Sequence, residues 1–316
     1  MKIIVTFQPK EEFITDLKNN FPEVEFLFYK KIKEAEDELP NAEVIVTMGE
    51  DLTDDHIERS KQCKWIMVTS AGLEKMPFEA IKKRGILVTN ARGIHKIPMA
   101  EFTIGLMLQH AKQLQAVWEQ EKDAVWSRRL PTSELCESSL LILGAGAIGG
   151  EIARLAKAFH MNVSGVNSTG LTGDHFDDMF TLQTFRDQLP KADYIVSVLP
   201  STSETKGILE VDHFEQMKDS AVFINIGRGD LVEESVLLEV QEKNLIRHMY
   251  LDVFDQEPLP ENHPFWKAAS ITVTPHLSSI TKKYMPRALE IFKKNLFTYS
   301  NNMDNYINLI DTERGY

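Results

Sequence analysis

Residues 140–149 read Leu140-Leu141-Ile142-Leu143-Gly144-Ala145-Gly146-Ala147-Ile148-Gly149. Four apolar residues run straight into glycines spaced G-x-G-x-x-G, and Ile152, Leu155, Ala156 and Phe159 then recur at helical spacing. Strand, glycine loop and helix in that order are the context a dinucleotide-binding fingerprint requires. Gly144 permits the tight turn, Gly146 lets backbone N–H groups approach a pyrophosphate, and Gly149 lets the helix pack close on the strand. Ala147 and Ile148 open that helix, whose orphan N–H groups and partial positive charge favour phosphate.

Outward from this loop, short β-rich runs alternate with longer helical stretches along the whole chain. Strands are expected at 2–7, 24–28, 43–47, 65–69 and 86–89, and again at 139–143, 162–166, 194–199, 221–226, 249–253 and 271–274. Most are continuous Val/Ile/Leu runs rather than alternating ones, the pattern of parallel strands covered on both faces. The repetition predicts doubly wound α/β architecture, twice over. A length of 316 residues fits two domains at ~150 residues each.

Composition narrows the class. The chain is 43% hydrophobic and 26% charged, which excludes wholesale disorder. A net charge of −12 disfavours nucleic acid and anionic membrane surfaces as partners. Cys63 and Cys136 build no disulfide framework, and no His/Cys/acid spacing suggests a metal. The apolar start meets Lys10, Glu11 and Glu12 too soon for a signal peptide, and no run approaches eighteen apolar residues. A cytoplasmic protein without a membrane span is expected.

The domain boundary is expected near Pro98, which suits a first helical turn. From there to Glu119 runs one helical pattern, apolar on more than one face, through Met99, Phe102, Ile104, Leu106, Met107, Leu108, Ala111, Leu114, Val117 and Trp118. Core packing and a subunit interface both explain it. A further helical stripe, Met285, Leu289, Ile291, Phe292, Leu296 and Phe297, suits a chain returning to its first domain.

Where an NAD enzyme carries an acid at the end of the second nucleotide-domain strand, this chain reads Val166-Asn167-Ser168-Thr169-Gly170. Without an acid a 2′-phosphate is not repelled, and Asn167, Ser168 and Thr169 offer donors, which tilts the reading from NAD towards NADP. A polar surface turn without a selective role is the plain alternative. Three other strand ends carry polar residues at the edge where open sheets bind ligands: Asn225-Ile226-Gly227-Arg228-Gly229, Asp252-Val253-Phe254-Asp255-Gln256-Glu257-Pro258 and Thr274-Pro275-His276-Leu277-Ser278. Singly, each has a dull explanation: a turn cap, a solvated acid, one of nine histidines.

Together with the glycine loop and Ser70-Ala71-Gly72, these segments resemble the D-isomer-specific 2-hydroxyacid dehydrogenase family, over essentially the whole chain and in its order. The resemblance is strongest to glyoxylate/hydroxypyruvate reductase-like and phosphoglycerate dehydrogenase-like members. It implies a Rossmann nucleotide-binding domain, 98–280, inserted into a flavodoxin-like substrate domain formed by 1–97 plus 281–316. It implies that His276 is the general acid towards a 2-oxo acid and the base in reverse, a task suited to histidine's ordinary pKa of about 6.5. Glu257 would orient that imidazole, and Arg228 would clamp the substrate carboxylate, which backbone N–H groups of Ala71 and Gly72 would also hold. Leu199, Pro200 and Thr205 would line the adenosine side, Ile226 and Gly227 the nicotinamide, with Ser278 nearby. Asp252 would face the nicotinamide amide or serve as a buried structural carboxylate.

One departure bears on substrate. Phosphoglycerate dehydrogenases commonly carry an Arg-Ser pair after the third strand of the small domain, whereas this chain has Val46-Thr47-Met48-Gly49-Glu50, with no cation for a phosphate. The expectation is therefore an oxidoreductase, a homodimer, moving hydride between NAD(P)H and a small 2-oxo or D-2-hydroxy acid. An NAD(H)-sensing corepressor-like binding protein on the same fold is the alternative.

Overall fold

The computed structural model describes residues 1–73, 75–171 and 173–312. The chain divides into two compact units, Met1–Ile94 with Thr281–Tyr316, and His95–Ile280.

The first unit is built on β1 (Lys2–Val5), β2 (Glu25–Phe28), β3 (Val44–Thr47), β4 (Trp65–Val68) and β5 (Leu87–Asn90). All pair in parallel in the order β2-β1-β3-β4-β5, the flavodoxin-like winding. Strands β3 and β4 are buried at every residue, which accounts for their unbroken apolar runs. Helices α1 (Glu11–Asn20), α2 (Ile32–Ala35), α3 (Asp54–Arg59) and α4 (Phe78–Lys83) make the crossovers.

The second unit has β6 (Ser139–Leu143), β7 (Asn162–Val166), β8 (Asp178–Phe180), β9 (Tyr194–Ser197), β10 (Val222–Asn225), β11 (His248–Leu251) and β12 (Ile271–Val273). The order is β12-β11-β10-β9-β6-β7-β8, again all parallel. The winding reverses between β6 and β9, and the crevice beyond the carboxyl ends of these strands is where such sheets bind ligands. Its helices are α5 (Lys96–Ala111), α6 (Leu114–Lys122), α7 (Ala147–Ala158), α8 (Val211–Glu215) and α9 (Glu234–Glu242). The chain then returns to the first unit through α10 (Tyr284–Ser300), which buries Ala288, Leu289, Phe292 and Leu296 against Ile3, Val5, Trp65 and Met67.

Two local expectations are corrected. The edge strand β8, whose residues Asp178-Met179-Phe180 hold no apolar run, was not anticipated from pattern. The single helix expected over 98–119 is two: Gln113 adopts φ +53° and breaks it between α5 and α6. The two halves differ. Helix α5 buries Met99, Ala100, Ile104, Leu106 and Met107 in the core shared with Ile142, Ile152 and Val196, whereas α6 has no buried residue. Among the described residues no helix is long and apolar enough to cross a membrane.

Candidate active site

The glycine loop leaves the carboxyl end of β6 and enters α7. Gly144 has φ +108°, and a Cβ there would sit 3.0 Å from the Val198 backbone, so only glycine fits comfortably. A Cβ on Gly149 would lie 2.2 Å from the Gly144 carbonyl oxygen, which explains how closely helix and strand approach. Gly146 is different: nothing lies within 4 Å of its Cβ position, and Gly146 and Ala147 are exposed, with Ile148 half-buried. The first turn of α7 thus presents unsatisfied N–H groups to open space at the switch point. These residues fit a dinucleotide pyrophosphate.

At the end of β7, Asn167 Oδ1 accepts hydrogen bonds from the N–H groups of Thr169 at 3.0 Å and Gly170 at 2.6 Å, and from Thr169 Oγ1 at 3.2 Å. Its Nδ2 donates to the Leu171 carbonyl at 3.1 Å, and Thr169 Oγ1 accepts from Leu171 N–H. Of the three side chains expected as phosphate donors, two are therefore engaged in closing their own turn. Only the Ser168 hydroxyl is without a partner among the described residues. Leu199 and Thr205 are buried, and Thr205 Oγ1 donates to the Pro200 carbonyl at 2.6 Å, so this hydroxyl shapes the loop after β9.

Beyond β10, Asn225 is 2% exposed and holds the next turn: its Oδ1 accepts from Gly227 N–H at 3.1 Å and its Nδ2 donates to the Arg228 carbonyl at 2.9 Å. Pattern reading assigned Asn225 no role, although a polar residue closing an apolar strand was its signal. Ile226 and Gly227 are buried, and a Cβ on Gly227 would meet the Leu199 carbonyl at 2.8 Å. A Cβ on Gly229 would meet the Phe254 carbonyl carbon at 2.2 Å. Between them Arg228 is exposed; its Nη1 donates to the Gly227 carbonyl at 2.8 Å, and it has no ion pair among the described residues.

Glu257 and His276 meet directly. Glu257 Oε2 lies 2.7 Å from His276 Nδ1, while Oε1 accepts from Phe254 N–H at 3.0 Å. A carboxylate can only accept, so the imidazole carries its proton on Nδ1. Nε2 has no partner among the described residues and belongs to a side chain 47% exposed. His276 sits at φ +50°, an unfavourable conformation for a residue with a Cβ. Asp252 holds it there. Buried to 1%, its Oδ1 accepts from Thr274 Oγ1 at 2.6 Å and Leu277 N–H at 3.0 Å, and its Oδ2 from Ser278 N–H at 3.0 Å. Of the two roles open to Asp252, the bonds seen are those of a buried structural carboxylate. Nearby, partial burial raises the Asp255 carboxyl above its usual range, with Glu234 and Asp230 adding to the effect.

In the first unit, Asn90 Nδ2 donates to the Ala71 carbonyl at 2.9 Å and Ser70 Oγ to the Gly72 carbonyl at 2.9 Å. These bonds engage the carbonyls of Ala71 and Gly72 beyond the end of β4. Among the described residues no cluster of three or more His, Cys, Asp or Glu could hold a metal.

Residues 104–278 match the NAD binding domain of the D-isomer specific 2-hydroxyacid dehydrogenases. The chain belongs to this family. It is 30% identical over 286 residues to D-3-phosphoglycerate dehydrogenase of Archaeoglobus fulgidus, covering 90% of this chain and 54% of that protein. The chain thus spans about half the length of the first curated relatives it matches. It is 30% identical over 245 residues to human glyoxylate reductase/hydroxypyruvate reductase, 73% of this chain and 74% of the relative. A solved D-isomer specific 2-hydroxyacid dehydrogenase family protein from Aeromonas salmonicida superposes with a TM-score of 0.85 at 30% identity, covering 98% of this chain and 99% of the other.

Proposed function

We propose that this member of the family is an NAD(P)-dependent D-2-hydroxyacid dehydrogenase that works mainly as a reductase of small, unphosphorylated 2-oxo acids of the glyoxylate or hydroxypyruvate type. The observation that carries the reading is the His276–Glu257 pair at 2.7 Å, on loops at the carboxyl edge of the sheet that also bears the glycine loop. When bound, the nicotinamide dinucleotide supplies or accepts the hydride. Gly144, Gly146, Ala147, Ile148 and Gly149 would hold its pyrophosphate, with Leu199, Pro200 and Thr205 shaping the adenosine side and Ile226, Gly227, Asp252 and Ser278 the nicotinamide end.

Towards substrate, Arg228, whose guanidinium makes no ion pair among the described residues, would bind the carboxylate, together with backbone N–H groups of Ala71 and Gly72. His276 donates the proton on Nε2 to the oxygen of the 2-oxo group, while Glu257 stabilises the charged imidazole and keeps the ring in register. The loop after β3 supports an unphosphorylated substrate. Thr47 Oγ1 accepts from Gly49 N–H at 2.9 Å and is bonded to Asp51, and Lys75, which reaches this loop, is paired with Glu50 at 3.2 Å. The lack of an acid at 167 supports acceptance of NADP(H), with Ser168 as the free donor.

A homodimer belongs to the same proposal, supported by α6, which buries nothing of its own, and by the exposed Trp118 and Trp126. A cytoplasmic location is supported by the acidic composition and two unpaired cysteines. Following NAD(P)H oxidation with glyoxylate, hydroxypyruvate and larger 2-oxo acids tests the activity. His276→Ala is expected to lower kcat by about 10²–10⁴-fold with dinucleotide affinity unchanged. No turnover across the panel by folded protein that binds dinucleotide, or full turnover by the variant, overturns the proposal.

A further inference from the structure

The seven-stranded sheet has a second concave face. At its amino edge, opposite the glycine loop and His276, lies a cavity of about 840 Å³, within the size range of small-molecule sites. Its wall includes His110 from the last turn of α5, Arg247, His248 at the start of β11, Tyr250, Trp266 and Thr272. The imidazoles of His110 and His248 stand with ring centroids 5.8 Å apart, and Tyr250 lies 4.6 Å from His248 and 6.2 Å from His110.

Three of these side chains retain unused hydrogen-bonding capacity. The guanidinium of Arg247 makes no hydrogen bond or ion pair among the described residues, in a chain with a net charge of −12. The ring nitrogens of His110 likewise have no hydrogen bond among the described residues. His248 bonds Thr272 Oγ1 through Nε2 at 2.8 Å, which leaves Nδ1. Burial, with the His110 ring adding, lowers His248 to about 4; burial and the Arg247 charge lower His110 as well. At neutral pH both rings are uncharged, so Arg247 is the cation of the wall. Glu119 also lines the cavity and keeps its negative charge, with one carboxylate oxygen accepting from Gln115 Nε2 at 3.1 Å.

We propose that this cavity is a second ligand site, for a small aromatic carboxylate whose charge is taken by Arg247 and whose ring lies among His110, Tyr250 and Trp266. A planar ring can stack on the aromatic side chains of His110, Tyr250 and Trp266 in a wall that is otherwise mostly polar, and a fixed cationic fork matches a carboxylate. The site shares no residue with the proposed catalytic set and is independent of the reductase reading, but α6 forms one wall through Gln115, Ala116 and Glu119, so the proposal requires a dimer contact that leaves the cavity open.

The test is carbon-edited NMR of the histidine ring resonances in the full chain, titrated with sodium benzoate at constant ionic strength, with sodium acetate and sodium chloride as controls. His110→Gln and His248→Gln assign the two resonances. Saturable shifts of both rings with benzoate, weakened roughly tenfold or more in Arg247→Gln, are expected. Arg247 is exposed, and that variant should keep the wild-type melting temperature and 2-oxo acid turnover. Shifts that grow linearly, that chloride reproduces, or that persist unchanged in Arg247→Gln overturn the proposal. Equal affinity for acetate refutes the aromatic part. Absence of any shift, as when a second copy covers the cavity, overturns the whole.

Discussion

Replacing Asp252 with Asn probes what keeps His276 in an unfavourable backbone conformation. The native carboxylate accepts at both oxygens, from Thr274 Oγ1 and Leu277 N–H at Oδ1 and from Ser278 N–H at Oδ2. An amide keeps the first oxygen but turns its NH₂ towards the Ser278 N–H, setting two donors 3.0 Å apart. One charge-assisted hydrogen bond is lost, about 1.5–3 kcal/mol, and the other two weaken with the loss of charge. Ser278 is 3% exposed, so its N–H finds no water in exchange. Flipping the amide only moves the conflict to Leu277. Relaxation of His276 from φ +50° would release on the order of 1–2 kcal/mol, so a rearranged loop competes with the native one. We expect kcat for 2-oxo acid reduction to fall by about ten- to a hundredfold, and the melting temperature by several degrees. Steady-state kinetics and calorimetry on the same preparation read both. A kcat within twofold of wild type together with an unchanged melting curve would refute the reasoning.

Two glycine replacements should behave in opposite ways. Gly149→Ala drives a Cβ to 2.2 Å from a backbone oxygen and should lower both melting temperature and dinucleotide affinity, whereas Gly146→Ala meets nothing within 4 Å and should cost affinity alone, as fluorescence titration will show. Asn167→Asp retains the acceptor for the Thr169 and Gly170 N–H groups but loses the donor to the Leu171 carbonyl, so a small drop in melting temperature is expected, while the new charge should weaken NADPH about tenfold or more relative to NADH in paired kinetic assays. His248 lies at about 4 when folded, against an ordinary value near 6.5, so the unfolded chain binds the extra proton first. Its contribution is complete above about pH 6.5 and is lost as pH falls towards 4, by at most about 3 kcal/mol. Melting curves of His248→Gln should accordingly decline less steeply than wild type over that window.

Much of this could be read from residues in a row. The run Leu140 to Gly149 announces its turn because its demands are largely local: Gly144 takes a positive φ, and Gly149 packs against the Gly144 carbonyl within the same motif. The pairing of His276 with Glu257 was expected only through the resemblance, since 19 residues separate them. Other features depend on neighbours that a linear pattern does not show. Asn167 looks like a free donor until its own turn is closed, and three-residue β8 exists because β7 offers an edge. The cavity at the amino edge gathers His110, Arg247 and Thr272 from three distant elements, and no spacing rule joins them.

The contact of Gly229 with the Phe254 backbone has a consequence for how this site can vary. Main chain touches main chain there, so the loop carrying Arg228 and the loop carrying Glu257 are registered without any intervening side chain. The spacing between the loops of Arg228 and Glu257, which on the proposed reading serve the substrate carboxylate and the proton-donating histidine, is then set by van der Waals radii. New substrate preferences would have to come from side chains mounted around this rigid gauge. The same rigidity makes position 229 intolerant of even a methyl group.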